Sequence, residues 1–270
     1  MADQTEGGRK VTAGAGLSIS GLSVDFEIPN EGRIRALDGI DLDLEPGSLT
    51  CILGPTGCGK TTLLRTVAGL QEPSAGSVTR GGEASGRRPK LGFVFQQHAL
   101  FPWMNALSNV EFGMKASGMP RHARRGKALR LLEEVGLAGF ERAWPYQLSG
   151  GMQQRVALVR SLAIDPAILL LDEPFGSLDT KTRFELEDVV LNVWREHGTT
   201  MLFVTHSFEE AVYLADRVIV LGHRPGRIES DFRIDLPQPR DRLSEPFVSL
   251  LLRVRTVFES LVSEARTSPE

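Results

Sequence analysis

Three short stretches of this chain carry side chains suited to phosphate chemistry. The first is Gly54-Pro55-Thr56-Gly57-Cys58-Gly59-Lys60-Thr61-Thr62, which has the spacing G-x-x-x-x-G-K-[ST]. Its glycines let the backbone curl so that successive N–H groups converge on an anion. Lys60 adds a mobile charge for β- and γ-phosphates, and the Thr61 hydroxyl is a ligand for Mg²⁺. The second stretch, Ile168-Leu169-Leu170-Leu171-Asp172-Glu173, is an apolar run ending in two carboxylates. Carboxylates at a strand's end are costly unless they hold metal or do chemistry. Asp172 is placed to hold Mg²⁺ directly or through water, and Glu173 to activate a water for in-line attack on a γ-phosphate. The third, Leu148 to Arg155, opens a helix with Ser149, Gly150 and Gly151. A helix start with a hydroxyl and close backbone approach is a second anion site, with a plain N-cap as the competing reading.

Single residues extend the constellation. Gln96 leaves the apolar run Leu91-Gly92-Phe93-Val94-Phe95, where it can reach a metal or attacking water, or serve as an ordinary loop residue. His206 ends the run Thr200–Thr205 and is placed to orient that water or touch the γ-phosphate. Phe26 is either packing or a platform for a purine base. Cys58, at a helix start, is expected to carry a reactive thiolate. The chain holds two anion-binding helix starts but one lysine-bearing loop, so two copies could complete each other's sites.

The elements that must position these residues follow from pattern. Leu49–Leu53 reads as a buried strand before the glycine loop, and Thr61–Leu70 as the helix after it. Leu17–Glu27 and Ile34–Leu44 alternate as antiparallel strands with one wet face. Residues 80–90 form a Gly/Arg-rich loop. Residues 98–165 show no clear strand and read as a helical insert, in which Ala128, Leu131, Leu132 and Val135 keep helical spacing. His98 to Met104 is an apolar loop, whose Phe101–Met104 stretch is either insert core or an exposed docking groove, and composition favours core. Asp179 precedes a helix faced by Leu186, Val189, Val190, Val193 and Trp194 and stopped at Gly198. Ser207 and Glu210 suggest a capping box. Closing strands are expected at Arg217–Leu221 and Gly226–Glu229. Phe247, Leu250, Leu251, Val254, Phe258, Leu261 and Val262 draw the apolar stripe of a last helix.

Composition narrows the class. The 270 residues are 41% hydrophobic and 24% charged with a net charge of −3, which suits a soluble globular protein and gives no electrostatic reason to bind nucleic acid. Cys51 and Cys58 suggest neither a disulfide nor a zinc site. No stretch reaches the roughly 18–20 apolar residues that span a bilayer, and the start lacks a secretory apolar segment. Residues 1–16 read as a disordered tail, 17–240 as the main domain with its insert at about 98–165, and 241–270 as a C-terminal amphipathic helix.

Taken together, the glycine loop, Phe95-Gln96-Gln97, Leu148 to Arg155, Ile168 to Pro174, Ser177-Leu178-Asp179 and Val204 to Ser207 resemble the ATP-binding subunit of an ABC transporter over roughly residues 17–240. The resemblance implies an α/β, P-loop NTPase fold: a RecA-like core, an antiparallel β subdomain and the helical insert. It implies that Phe26 stacks on adenine and that the loop from Gly54 to Thr62 holds the phosphates. Thr61 and Gln96 would ligate Mg²⁺, with Asp172 holding it through water. Glu173 would be the catalytic base and His206 the γ-phosphate switch. Ser149, Gly150 and Gly151 would contact ATP held by a second copy, with Asp179 at that interface. It also turns Gln96–Met104 into the surface that receives a membrane subunit. The implied partners are two transmembrane permease subunits and, indirectly, an extracytoplasmic substrate-binding protein, on the cytoplasmic face of a membrane. The segments from Leu100 to Met104, Glu173 to Asp179 and Ser207 to Ile228, with Arg224-Pro225-Gly226-Arg227-Ile228 inside the last, look like bacterial importers for nitrate, taurine or alkanesulfonates. Two alternatives stay open at this point: a soluble ABC ATPase acting on nucleic acid or ribosomes, and a P-loop phosphotransferase.

Overall fold

The computed structural model describes residues 14–29, 32–81, 89–97, 99–176 and 178–267. The elements run β1 (Leu17–Ile28), β2 (Gly32–Leu44), β3 (Leu49–Leu53), α1 (Lys60–Ala68), β4 (Ala75–Arg80) and β5 (Leu91–Val94). There follow α2 (Ala106–Ala116), α3 (Arg121–Glu134), a 3₁₀ turn at Pro145–Gln147 and α4 (Gly150–Leu162). The chain closes with β6 (Ile168–Asp172), α5 (Thr180–His197), β7 (Thr200–Thr205), α6 (Phe208–Leu214), β8 (Arg217–Leu221), β9 (Ile228–Arg233) and α7 (Glu245–Thr267).

Two sheets form. β2-β1-β4 is antiparallel, and the larger sheet has the order β5-β6-β7-β3-β8-β9, parallel except for β9 against β8. The central strands β3, β6 and β7 are buried at every position, as a parallel sheet covered on both faces requires. Their side chains alternate between two cores. Leu49, Cys51, Leu53, Leu169, Leu171, Met201 and Phe203 face the insert, α5 and α6. Ile52, Leu170, Leu202 and Val204 face α1 and the antiparallel sheet. Each fully buried leucine contributes about 1.5–3 kcal/mol over an exposed one, so both layers fix the strand register and hence where each strand ends.

Between β5 and β6 the described chain is helical, as the lack of strand patterning suggests. α2 went unread in the sequence, although Asn105 accepts from Ser108 N–H at 2.9 Å as its N-cap. β4 was also missed: its residues are mostly exposed on a sheet edge and show no apolar alternation. The last strand starts at Ile228, not Gly226, because Gly226 instead bridges to Leu37 of β2. On α7, Phe247 and Val254 are buried and Leu250, Leu251, Phe258 and Leu261 pack beside them; the Val262 side chain lies outside the described residues. Gly14 to Gly16, counted in the tail from sequence, are hydrogen-bonded to residues flanking the sheets, as in Gly14 N–H to Gly198 O at 3.1 Å and Gly81 N–H to Gly16 O at 2.7 Å. Residues 1–13, His98, Ser177 and most of the 80–90 loop lie outside the described residues.

Candidate functional site

In an open parallel sheet ligands gather beyond the carboxyl ends of the strands. Strand order decides which residues meet there. The glycine loop leaves the end of β3, flanked by β7 and β8, while β6 lies just beyond β7. Asp172 and Glu173 at the end of β6, His206 after β7 and Gln96 after β5 therefore arrive at one edge.

The loop runs into α1 through Gly59, which sits at φ +102°. A side chain there would be strained, and its Cβ would lie 2.6 Å from Leu37 Cδ2 and 2.9 Å from Ala36 O, so only glycine fits. Lys60 is 5% exposed. Its Nζ donates to Gly54 O at 2.8 Å and Pro55 O at 3.0 Å and lies 3.4 Å from Glu173 Oε1. Thr61 Oγ1 donates to Asp172 Oδ1 at 2.9 Å. Burial pushes Asp172 above the usual carboxylate range, against the lowering effect of the Thr61 bond. Two hard oxygen donors in contact, with the Gln96 amide on the same cavity, fit a small hard cation such as Mg²⁺.

Glu173 stands at φ +41°, a left-handed conformation that costs a residue with a Cβ about 1–3 kcal/mol. It is held there because its N–H donates to Val204 O at 3.0 Å. Glu173 Oε2 meets His206 Nδ1 at 3.0 Å, so carboxylate, imidazole and lysine form one row. The expected capping box at α6 is only half formed. Ser207 Oγ accepts from Glu210 N–H at 3.3 Å, but Thr205 Oγ1 takes the Ser207 N–H at 3.0 Å and donates to buried Glu210 at 2.6 Å. This pair clamps the backbone on both sides of His206.

Lys60, Thr61, Gln96, Glu173 and His206 line a cavity of about 660 Å³. Thr56, Gly57, Gly59, Lys60, Thr61 and Thr62 form its floor, Gln96, Glu173 and His206 one wall, and Phe26 another. Phe26 is 37% exposed, so its ring is open to a planar ligand. Gly54 and Pro55 stand behind the floor as acceptors for Lys60. Cys58 is 1% exposed and burial pushes its thiol up; the expected reactive thiolate is not there, because the side chain turns into the core. Sequence reading missed Glu27, Ile34, Ala36 and Arg224, which also line the cavity. The Arg224-Pro225-Gly226-Arg227 turn was the available signal for Arg224.

Ser149, Gly150, Gly151 and Asp179 do not line this cavity. They make a separate patch. Ser149 caps α4, accepting from Met152 N–H at 3.3 Å, and Asp179 caps α5 through Thr182 N–H at 3.1 Å and Thr182 Oγ1 at 2.7 Å. A Cβ on Gly151 would lie 2.4 Å from Thr182 Cγ2, so the two helix starts are pressed together. Both Thr182 contacts hold the Asp179 carboxyl below its usual range.

The apolar loop is divided. Buried Asn109 ties it down, accepting from Phe101 N–H at 2.8 Å and donating to Met104 O at 2.9 Å. Phe101 packs on Phe112 with ring centroids 4.6 Å apart. Trp103 is 67% exposed, against the expectation of core drawn from composition. A groove of about 490 Å³ runs beside Met104, Phe112 and Lys115.

Known proteins resemble this chain in sequence and fold. The model of the ABC transporter family matches residues 37–176. An uncharacterised ABC transporter ATP-binding protein of Methanocaldococcus jannaschii is 47% identical over 247 residues, covering 91% of this chain and 92% of the relative. The taurine import ATP-binding protein TauB of Roseobacter denitrificans is 48% identical over 220 residues, covering 81% and 82%. Among solved structures, a dimeric ATP-binding cassette in a post-hydrolysis state with ADP and Pi superposes with a TM-score of 0.71 at 32% identity, covering 82% of this chain and 100% of that one.

Proposed function

This chain belongs to the ABC transporter family as an ATP-binding and ATP-hydrolysing subunit, and from that premise we propose that it powers import of a small sulfonate such as taurine. The observation that carries the chemistry is the row Lys60, Glu173, His206 on one cavity with Thr61, whose hydroxyl donates to Asp172 behind it. The cargo rests on the name of relatives 45–48% identical to the chain.

In this reading ATP enters as substrate, with its base on Phe26 and its phosphates on the N–H groups of Gly54–Thr62. Mg²⁺, arriving with ATP, would be held by Thr61, Gln96 and, through water, Asp172, and would offset charge on the β- and γ-oxygens. Lys60 exchanges its carbonyl partners for phosphate oxygens. Glu173 accepts a proton from the water that attacks the γ-phosphorus as the bond to the β,γ-bridging oxygen breaks, leaving ADP and phosphate, and His206, held by the Thr205–Glu210 clamp, stabilises charge on the γ-phosphate. The Ser149–Gly151 and Asp179 patch faces the nucleotide of a second copy, closing two ATP molecules between two chains. Gln96 to Met104, with exposed Trp103, receives a cytoplasmic helix of each of two permease subunits, and a substrate-binding protein acts from the far side. The chain is then a peripheral protein of the cytoplasmic membrane face; among the described residues no helix is long and apolar enough to cross a membrane. Residues 17–240 are assigned to the ATPase domain, about 98–165 to its insert and 241–270 to the C-terminal helix.

The test is genetic replacement by Lys60→Ala in the source organism, followed by uptake of radiolabelled taurine. Loss of uptake to background is expected, with the protein still present on membranes. Undiminished taurine uptake would remove the cargo assignment.

A further inference from the structure

We propose that Arg224 is a nucleotide-contacting residue whose guanidinium binds the α-phosphate of ATP. The proposal rests on the ATP reading of the same cavity. It adds a cation that the glycine loop does not supply.

Arg224 lies in the loop between β8 and β9, and it lines the cavity with Phe26 and Thr56. That loop is fixed at a particular seam. Gly226 N–H donates to Ala36 O at 2.9 Å, and Asp38 N–H donates to Gly226 O at 3.0 Å, so the loop is laced to β2. On its other side Gly226 presses on the phosphate loop, where an added Cβ would lie 2.2 Å from Cys58 O. Only glycine allows that approach. β2 also carries Ile34, which pairs with Phe26 of β1. The loop thus stands where the Phe26 platform meets the phosphate floor. A nucleotide with its base on Phe26 and its outer phosphates at Lys60 and Thr61 has its α-phosphate at this seam.

The neighbouring arginines are already engaged. Arg33 and Arg35 bind Asp25 at 2.6 and 2.9 Å, Arg35 also binds Asp38 at 2.8 Å, and Arg227 pairs with Asp38. Arg224 is exposed and makes no hydrogen bond or ion pair among the described residues. A guanidinium without a partner among the described residues, on a loop anchored at both faces, is available for a bidentate phosphate contact.

The test uses the full chain and fluorescent N-methylanthraniloyl ATP and ADP, titrated with Mg²⁺ against wild type, Arg224→Ala, Arg224→Gln, Arg224→Lys and Lys60→Ala. Arg224→Ala should weaken both nucleotides about tenfold, the worth of one charge-assisted contact. Arg224→Gln, which retains a long polar side chain without the charge, should lose as much, and Arg224→Lys should recover part. The wild-type affinity should also fall more steeply with salt than that of Arg224→Ala. Affinities of Arg224→Ala and Arg224→Gln within twofold of wild type would overturn the proposal. So would a loss for ATP that spares ADP, since that places the cation at the γ-phosphate. Failure of wild type to bind either nucleotide would instead refute the ATP reading of the cavity, a separate result.

Discussion

Replacing Glu173 by glutamine isolates the charge at the centre of the row. The backbone at this residue is held at φ +41° by the bond from its N–H to Val204 O at 3.0 Å. Glutamine has the same shape, so the carboxamide takes the carboxylate's place without moving the strand end. What disappears is the proton acceptor 3.0 Å from His206 Nδ1 and the negative charge 3.4 Å from Lys60 Nζ. Lys60 keeps both carbonyl partners, Gly54 O and Pro55 O, so the phosphate loop keeps its form. A positioned general base is worth roughly 10²–10⁴ in rate. Turnover should therefore fall at least about 100-fold, ~2.7 kcal/mol of barrier. ATP affinity should change by less than about threefold, under ~0.7 kcal/mol. Phosphate release measured beside fluorescent-nucleotide binding reads both quantities on one preparation, and light scattering with ATP should detect a long-lived dimer. Turnover within about tenfold of wild type would refute Glu173 as the base. Loss of ATP binding in a folded variant would refute the separation of binding from chemistry.

Two further outcomes follow from the buried carboxylates. Asp172→Asn keeps a partner for Thr61 Oγ1 but removes charge, so half-maximal ATPase activity should need about tenfold more Mg²⁺, read by metal titration; an unchanged requirement would separate Asp172 from the metal. Glu187 of α5 is 0% exposed and faces Arg242, with Glu209 and Glu210 nearby. Burial pushes its carboxyl up to about 7 from 4.5. Between those values the folded chain holds a proton that the unfolded chain lacks, so this contribution is fully present at low pH and lost as pH rises through about 7. Thermal melts from pH 5 to 8 should show a decline that Glu187→Gln flattens, and an identical slope in both proteins would contradict it.

Much of the site was legible because its determinants are contiguous. The glycine loop, its lysine and its hydroxyl follow a buried strand within one short stretch, and local backbone geometry suits such a stretch to cradle phosphate. Asp172, Glu173 and His206 were legible because apolar runs mark strands and the residue after a run marks an edge. Patterns failed where no apolar face exists to write them, as in exposed β4, or where a polar residue acts through contacts. Asn109 holds the apolar loop by its amide, and Thr205 replaces half of the expected capping box.

The sequence by itself determined the subunit family to which this chain is kin, and it singled out the residues proposed to hold the nucleotide. Tertiary structure decided which wall each residue occupies. The order β5-β6-β7-β3-β8 brings five strand ends to one cavity and leaves Ser149–Gly151 with Asp179 on a different patch. It turned Cys58 inward, where desolvation suppresses the thiolate, and it laced Gly226 to β2, which delivers Arg224 to the cavity. Strand order and loop lacing arise from contacts between residues distant in the chain, and such contacts leave no period or spacing in the sequence near either partner.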